Sequence, residues 1–175
     1  MTKTTIGTEI RRAGAADAAT VARLGAQTFD AAFGHLYPQE DLATFLAEVH
    51  DEDKVAAEIA DADTAVWLAE RGERAVGYAV AGPCALPHPE ARPDQGELKR
   101  IYVEPDLQGE GVGQALFDTA MAWLERDGPR RLWISVFSDN HGAQRFYQRQ
   151  GFAKVGEYKF RVGASLDKEF ILSRG

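Results

Sequence analysis

The 175-residue sequence predicts an α/β (α+β) fold: a mixed central β-sheet that contains one parallel βαβ unit and is flanked by helices. Two observations carry this. Residues 64 to 70 and 75 to 81 are apolar runs joined by Arg71-Gly-Glu-Arg74, the pattern of an antiparallel hairpin. Residues 97 to 137 then alternate strand, helix and strand, so the two flanking strands must run parallel through a right-handed crossover.

Residues 9 to 12 read as a short first strand. Asp17 is placed to cap a helix that carries Val21, Leu24, Thr28 and Phe29 on one side and runs to about Phe33. Pro38 opens a second helical pattern, with Leu42, Phe45, Leu46 and Val49 at spacings of three and four, and a weaker third follows from about Asp51 with Val55 and Ile59. After the hairpin, Pro83, Pro87, Pro89, Pro93 and Gly96 break any regular element, so 83 to 96 is expected as a long exposed loop, a kind more often functional than average.

The strand at 97 to 103 leads through a Pro-containing turn to a helix from Gly113 to about Arg126. That helix carries Leu116, Phe117, Ala120, Met121, Trp123 and Leu124 and stops at Gly128-Pro129. A strand at 131 to 137 follows, and Asn140 or Asp139 can cap a helix bearing Ala143, Phe146 and Tyr147 that ends at Gly151. Residues 152 to 161 and 165 to 172 close the chain as an antiparallel hairpin around Gly163. No repeat is present, and the length and 45% hydrophobic share fit one domain over 1 to 175.

A net charge of −7 and a pI near 5.1 argue against nucleic acid or an anionic membrane as partner, since both reward a basic surface. The acidic balance suits a cationic ligand and serves solubility equally well. The single cysteine, Cys84, cannot form an internal disulfide and is compatible with a reducing cytoplasm. No stretch has the length of a membrane span, and the Thr-rich start lacks the pattern of a signal peptide, so a cytoplasmic location is expected. His35, His50, His88 and His141 are scattered without zinc spacing, and no metal is expected.

The segment Gln108-Gly-Glu-Gly-Val-Gly113, between a strand and a helix, carries the chemistry. Glycines at alternate positions let successive N–H groups turn toward one anion, and the helix adds the orphan donors of its first turn. A ligand with adjacent phosphates is expected. The segment is not a P-loop, because Gly113 is followed by Gln114 and Ala115 rather than Lys and Ser or Thr, and Gln114 stands where the dinucleotide fingerprint needs a third glycine.

Gln-x-x-Gly-x-Gly in this setting resembles the acetyl-CoA loop of the GNAT superfamily of N-acetyltransferases. Trp133 to Asn140, Ala143 to Arg145, Phe146-Tyr147 and Gly151-Phe152 resemble its second signature, in the right order and spacing. A softer resemblance, in the Leu24-x-x-x-Thr28-Phe29-x-x-x-Phe33 helix, the 97-to-103 strand and the closing segment, is to the bacterial spermidine/spermine N-acetyltransferase branch typified by PaiA. Gln108 stands where many relatives carry Arg, so the backbone must do more of the phosphate binding.

The resemblance implies a GNAT fold whose parallel βαβ unit binds acetyl-CoA, the co-substrate, and an enzyme that acetylates a primary amine of a small molecule. The two parallel strands splay and admit the pantetheine arm. Ile101, Tyr102 and Val103 then contribute backbone partners, and Gln108, Gly109, Glu110, Gly111, Val112, Gly113 and Gln114 hold the pyrophosphate. Asn140 contacts the pantetheine arm or simply caps its helix. Tyr147 falls on the family's general-acid tyrosine beside the cofactor sulfur, or is a core residue at helical spacing. Glu97 resembles the glutamate used as base in some members, directly or through water, or is a strand-end carboxylate. A homodimer is compatible with this reading. Rival readings are an amino acid or peptide acceptor, a non-catalytic CoA-binding regulatory module, and a nucleotide-binding α/β domain.

Overall fold

The computed structural model describes residues 7–175. Its strands are β1 (Thr8–Arg12), β2 (Ala65–Arg71), β3 (Arg74–Pro83), β4 (Gly96–Val103), β5 (Leu132–Phe137), β6 (Ala153–Val162) and β7 (Ser165–Arg174). Among the described residues they form one seven-stranded sheet in the order β1-β2-β3-β4-β5-β7-β6. Every neighbouring pair is antiparallel except β4 and β5, the two strands of the βαβ unit. The sheet is therefore mixed, with helices on both faces. The closing hairpin enters with its second strand first, so β7 lies against β5 and β6 becomes the edge.

One face is covered by α1 (Ala18–Phe33), α2 (Gln39–Val49) and α3 (Glu52–Ala60), the other by α4 (Val112–Leu124) and α5 (His141–Arg149). The alternation of β2 and β3 explains the division. Ala65, Trp67, Ala69, Ala79 and Ala81 pack toward Leu116, Phe117 and Ala120 of α4, whereas Val66, Leu68, Tyr78 and Val80 pack toward Val21, Leu24 and Val55. Small alanines on the α4 side let that helix approach closely.

The helix starts differ from expectation in one respect. Asp17 precedes α1 but makes no side-chain cap; its carboxylate takes Arg11 at 2.8 Å and the Gly14 N–H at 2.8 Å. That pairing draws the Asp17 carboxyl down to about 2, chiefly through the Arg11 hydrogen bond. Asp51 does cap α3, accepting from the Lys54 N–H at 3.2 Å.

The segment from Cys84 to Gln95 is less free than its prolines suggest. Cys84 is buried, its N–H donates to the Gln95 carbonyl at 2.9 Å, and Gln95 Oε1 accepts from Trp133 Nε1 at 2.8 Å. The His88 ring lies 5.0 Å from that of Trp133, with Nε2 3.1 Å from the Val155 carbonyl oxygen. The expected loop is irregular and largely exposed, and in addition it is a strap docked on β5 and β6. Its anchors lie far away in sequence, so proline content alone does not reveal the docking.

The turn between β6 and β7 reaches α2, because Asp41 accepts from the Ala164 N–H at 3.0 Å and the Ser165 hydroxyl at 2.6 Å. Gly163 sits at φ 57°, where a Cβ would fall 2.5 Å from Asp41 Cα. Left-handed backbone costs a non-glycine residue about 1–2 kcal/mol, before that overlap is counted. Gly163→Ala should lower the thermal midpoint by about 4 °C or more. An unchanged midpoint in a differential scanning measurement would contradict this packing.

Candidate active site

β4 and β5 pair over Gly96–Leu98 and Leu132–Ile134 and then part. Past that point β4 remains paired with β3 as far as Val103, and β5 with β7 as far as Phe137. A bulge at Lys99, opposite Val80 and Ala81, turns β4 at the start of the divergence. Ile101, Tyr102, Val103, Ser135 and Phe137 are half-exposed although they belong to interior strands. The sheet thus opens into a cleft at the carboxyl ends of its parallel strands, where ligands of such sheets bind.

The glycine loop closes one end of this cleft. Gly109 and Gly111 take φ 85° and 86°, and a Cβ at either would meet nothing within 4 Å. Their need for glycine is conformational. Gly113 differs: it lies inside α4 without a positive φ, and its Cβ would meet Val103 Cγ2 at 3.9 Å, an ordinary contact. Two of the three glycines, not all three, therefore need a conformation closed to other residues. Val112 is buried and seats the first turn of α4.

The N–H groups of Gln108 and Glu110 bond back to Pro105 and Leu107, and Ala115 is the first amide to bond into the helix, at 3.1 Å to Gly111. The amides of Gly109, Gly111, Val112, Gly113 and Gln114 are left without a backbone acceptor among the described residues. This cluster, at a helix N-terminus under two open glycines, is a cradle that fits a pyrophosphate. Gln108 Nε2 points back to the Val103 carbonyl at 3.5 Å, tying the loop to the end of β4. Glu110 is engaged by Arg71 at 2.8 Å.

α5 forms the wall behind the cleft. Asn140 Oδ1 caps it, accepting from the Ala143 N–H at 3.2 Å, which leaves the carboxamide NH2 as a donor. Gln114 joins α4 to α5, taking Gln150 Nε2 at 3.1 Å and giving to Asp118 at 2.8 Å. Tyr147 is buried among Phe117, Phe146 and Phe152. Its hydroxyl has no hydrogen-bond partner among the described residues, and burial holds its pKa above the usual phenol value, with Tyr102 and Glu169 adding to the rise.

The cleft has two faces. Ile101 and Val103 pack on the α4 side, whereas Tyr102 stacks on Tyr78 at 5.9 Å toward α1. Tyr102 is thus a cleft residue through its backbone and a wall of the opposite face through its ring. Glu97 is buried on that opposite face, its Oε1 accepting from the Ala85 N–H at 2.9 Å and lying 3.4 Å from Lys99 Nζ. Sequence-predicted residues from four elements meet here, with Tyr147, Tyr102 and Asn140 around the opening and Glu97 at its closed end.

Two residues were not foreseen from the sequence. Arg71, the last residue of β2, brings a guanidinium beside the glycine loop, which otherwise has Gln108 at its first position. Glu169 on β7 stands opposite Phe137 of β5 and Tyr158 of β6, with Oε2 accepting from the Ser135 hydroxyl at 3.3 Å. Its alternating strand reads like any surface strand, so nothing local marks it. Among the described residues, no group of His, Cys, Asp and Glu is arranged to hold a metal ion, and no helix is long and apolar enough to cross a membrane.

The comparisons agree with this geometry. The chain is 30% identical over 160 residues to an uncharacterized N-acetyltransferase of Mycobacterium tuberculosis, covering 90% of this chain and 97% of the relative. It is 28% identical over 148 residues to another from Lactobacillus delbrueckii, covering 85% and 86%. The crystal structure of a PaiA N-acetyltransferase from Thermoplasma acidophilum in complex with coenzyme A superposes with a TM-score of 0.77 over 96% of this chain and 98% of that one, at 19% identity. The sequence model of the acetyltransferase (GNAT) family matches residues 27–152, and the chain belongs to that family of N-acetyltransferases.

Proposed function

We propose that the protein transfers the acetyl group of acetyl-CoA to a primary amine of a small molecule, with polyamines such as spermidine and spermine as the first candidates. The observation that carries this reading is the joining of the free-amide cradle at 109–114 to a sheet opening flanked by Tyr147. Acetyl-CoA brings an activated thioester whose carbonyl accepts a nitrogen nucleophile directly. The backbone of Ile101 and Val103 orients the pantetheine arm, and the Asn140 carboxamide is a further donor for it. Arg71 and the loop amides meet the phosphates. Tyr147, kept protonated by burial, donates its proton to the departing sulfur; the same burial raises the proton affinity of a thiolate formed beside it.

The acceptor side favours a small cation. Carboxylates of Asp167 and Glu169 share it with the rings of Tyr37, Tyr102 and Tyr158, and a protonated amine is attracted by both kinds of group. The strap from Cys84 to Gln95 narrows the edge by docking on Trp133, which suits a slender chain better than a folded partner. The PaiA neighbour and the acidic balance point the same way.

A panel of amines assayed for release of free CoA tests this. Spermidine and spermine should give the highest kcat/KM, ahead of free amino acids and peptide N-termini. Peptide or amino acid turnover without polyamine turnover would reassign the acceptor. Tight acetyl-CoA binding with no turnover on any amine would favour a regulatory CoA-binding module instead.

A further inference from the structure

Glu169 is a half-buried carboxylate on the acceptor face that no cation pairs among the described residues. Its near polar neighbours are uncharged hydroxyls and another acid, and the cation on β4, Arg100, is taken up by Glu58. Ser135 on β5 donates to it at 3.3 Å, and Ser135 is itself 2.9 Å from the Tyr158 hydroxyl on β6. Asp167, two residues earlier on the same face of β7, is held by the Tyr37 hydroxyl from the segment before α2. Tyr102 on β4 and Tyr147 on α5 lie within the field of the Glu169 charge. Through Ser135 and Phe137 the carboxylate stands beside the stretch of β5 that has parted from β4.

We propose that Glu169 is the general base of the reaction, taking the proton of the acceptor ammonium beside the open end of β5. This rests on the acetyltransferase reading of the cleft. A primary amine with a lysine-like pKa near 10.4 is neutral only to about one part in 2,500 at pH 7, so an acceptor for its proton is required. Burial, opposed by the Ser135 hydrogen bond and helped by the Asp167 charge, raises the Glu169 carboxyl to about 7. A base of that strength is matched to neutral conditions.

The proton balance closes with groups already in place. One ammonium proton passes to Glu169 and from there to solvent. The freed nitrogen pair forms the C–N bond to the acetyl carbon, and the C–S bond breaks with its electrons on sulfur. Tyr147 protonates that sulfur and is restored by the second proton lost from nitrogen. Glu97 has a different task. Its Oε1 is occupied by the Ala85 N–H and faces Lys99, so it anchors the strap.

Glu169→Gln keeps the Ser135 hydrogen bond and removes the base. With the best amine of the panel, kcat at pH 7 should fall by about 10²-fold or more while acetyl-CoA affinity is unchanged. The acid limb of kcat/KM, centred near pH 7 in the wild type, should disappear. Methoxyamine, already neutral at pH 7, should be acetylated by the variant at close to the wild-type rate, which a merely structural role would not give. Stability supplies a readout independent of turnover. An unfolded glutamate ionises near about pH 4.3, and the folded one near 7, so the native chain holds more protons between them and loses stability as pH rises. The Gln variant should gain in relative melting temperature from pH 4.5 to 7.5.

Near-normal turnover of Glu169→Gln, or an acid limb that survives in it and vanishes in Glu97→Gln, would overturn the base role while leaving the acetyltransferase reading intact. A wild-type protein that releases no CoA with any amine, yet shows the pH-dependent gap in melting temperature, would overturn that reading and the base role with it.

Discussion

Tyr147→Phe should lower kcat by about 10²- to 10⁴-fold, equivalent to about 3 to 5 kcal/mol of transition-state stabilisation, and leave the melting temperature nearly unchanged. The ring is what the core uses, since Phe117, Phe146 and Phe152 pack on it. The hydroxyl has no partner among the described residues, so its loss breaks no internal hydrogen bond. A tyrosine kept for its ring alone would show the same unchanged melting temperature and would also keep its turnover, so kcat is the readout that separates the two roles. The measurement is kcat under saturating substrates beside the thermal midpoint. Turnover within a few-fold of wild type would remove Tyr147 from the proton path.

Gly111→Val should weaken acetyl-CoA binding by about tenfold or more while the rest of the fold persists. At φ 86° a β-branched residue is strained whatever space surrounds it, so the loop must rearrange to accept valine. The rearrangement displaces the amides of Gly109, Gly111, Val112, Gly113 and Gln114, which have no backbone acceptor among the described residues. No Cβ clash is involved, because nothing lies within 4 Å of that position. The effect should therefore appear in the dissociation constant for acetyl-CoA, read by calorimetry, much more than in the melting temperature of the free protein. Unchanged affinity in the folded variant would take the loop out of the cofactor site.

What the sequence revealed and what it hid follow from how local each signal is. The glycine loop and the Phe146-Tyr147 pair are contiguous, and the backbone they need is set by their own residues, so both are recognisable in the bare order of amino acids. The parallel βαβ unit was legible for the same reason, since strand, helix and strand follow one another within forty-odd residues. The insertion of β7 between β5 and β6 is not local. It turns an alternating Asp167, Glu169, Ile171 face from a surface pattern into part of an interior strand between β5 and β6. Arg71 was hidden by the same circumstance, because it ends a strand far in sequence from the loop it touches. The strap over Trp133 is irregular and largely exposed as its prolines indicate, but its docking was not legible because it depends on partners more than thirty residues away.

The central claim is that this cleft moves an acetyl group from a thioester to an amine nitrogen. Mass spectrometry of a spermidine reaction with acetyl-CoA, run alongside a thiol assay, tests it most directly. One acetyl group should be gained on a primary amine of the acceptor for each CoA released, with no CoA release when the amine is omitted. Release of CoA at the same rate without any amine, or release with the acceptor recovered unmodified, would contradict it.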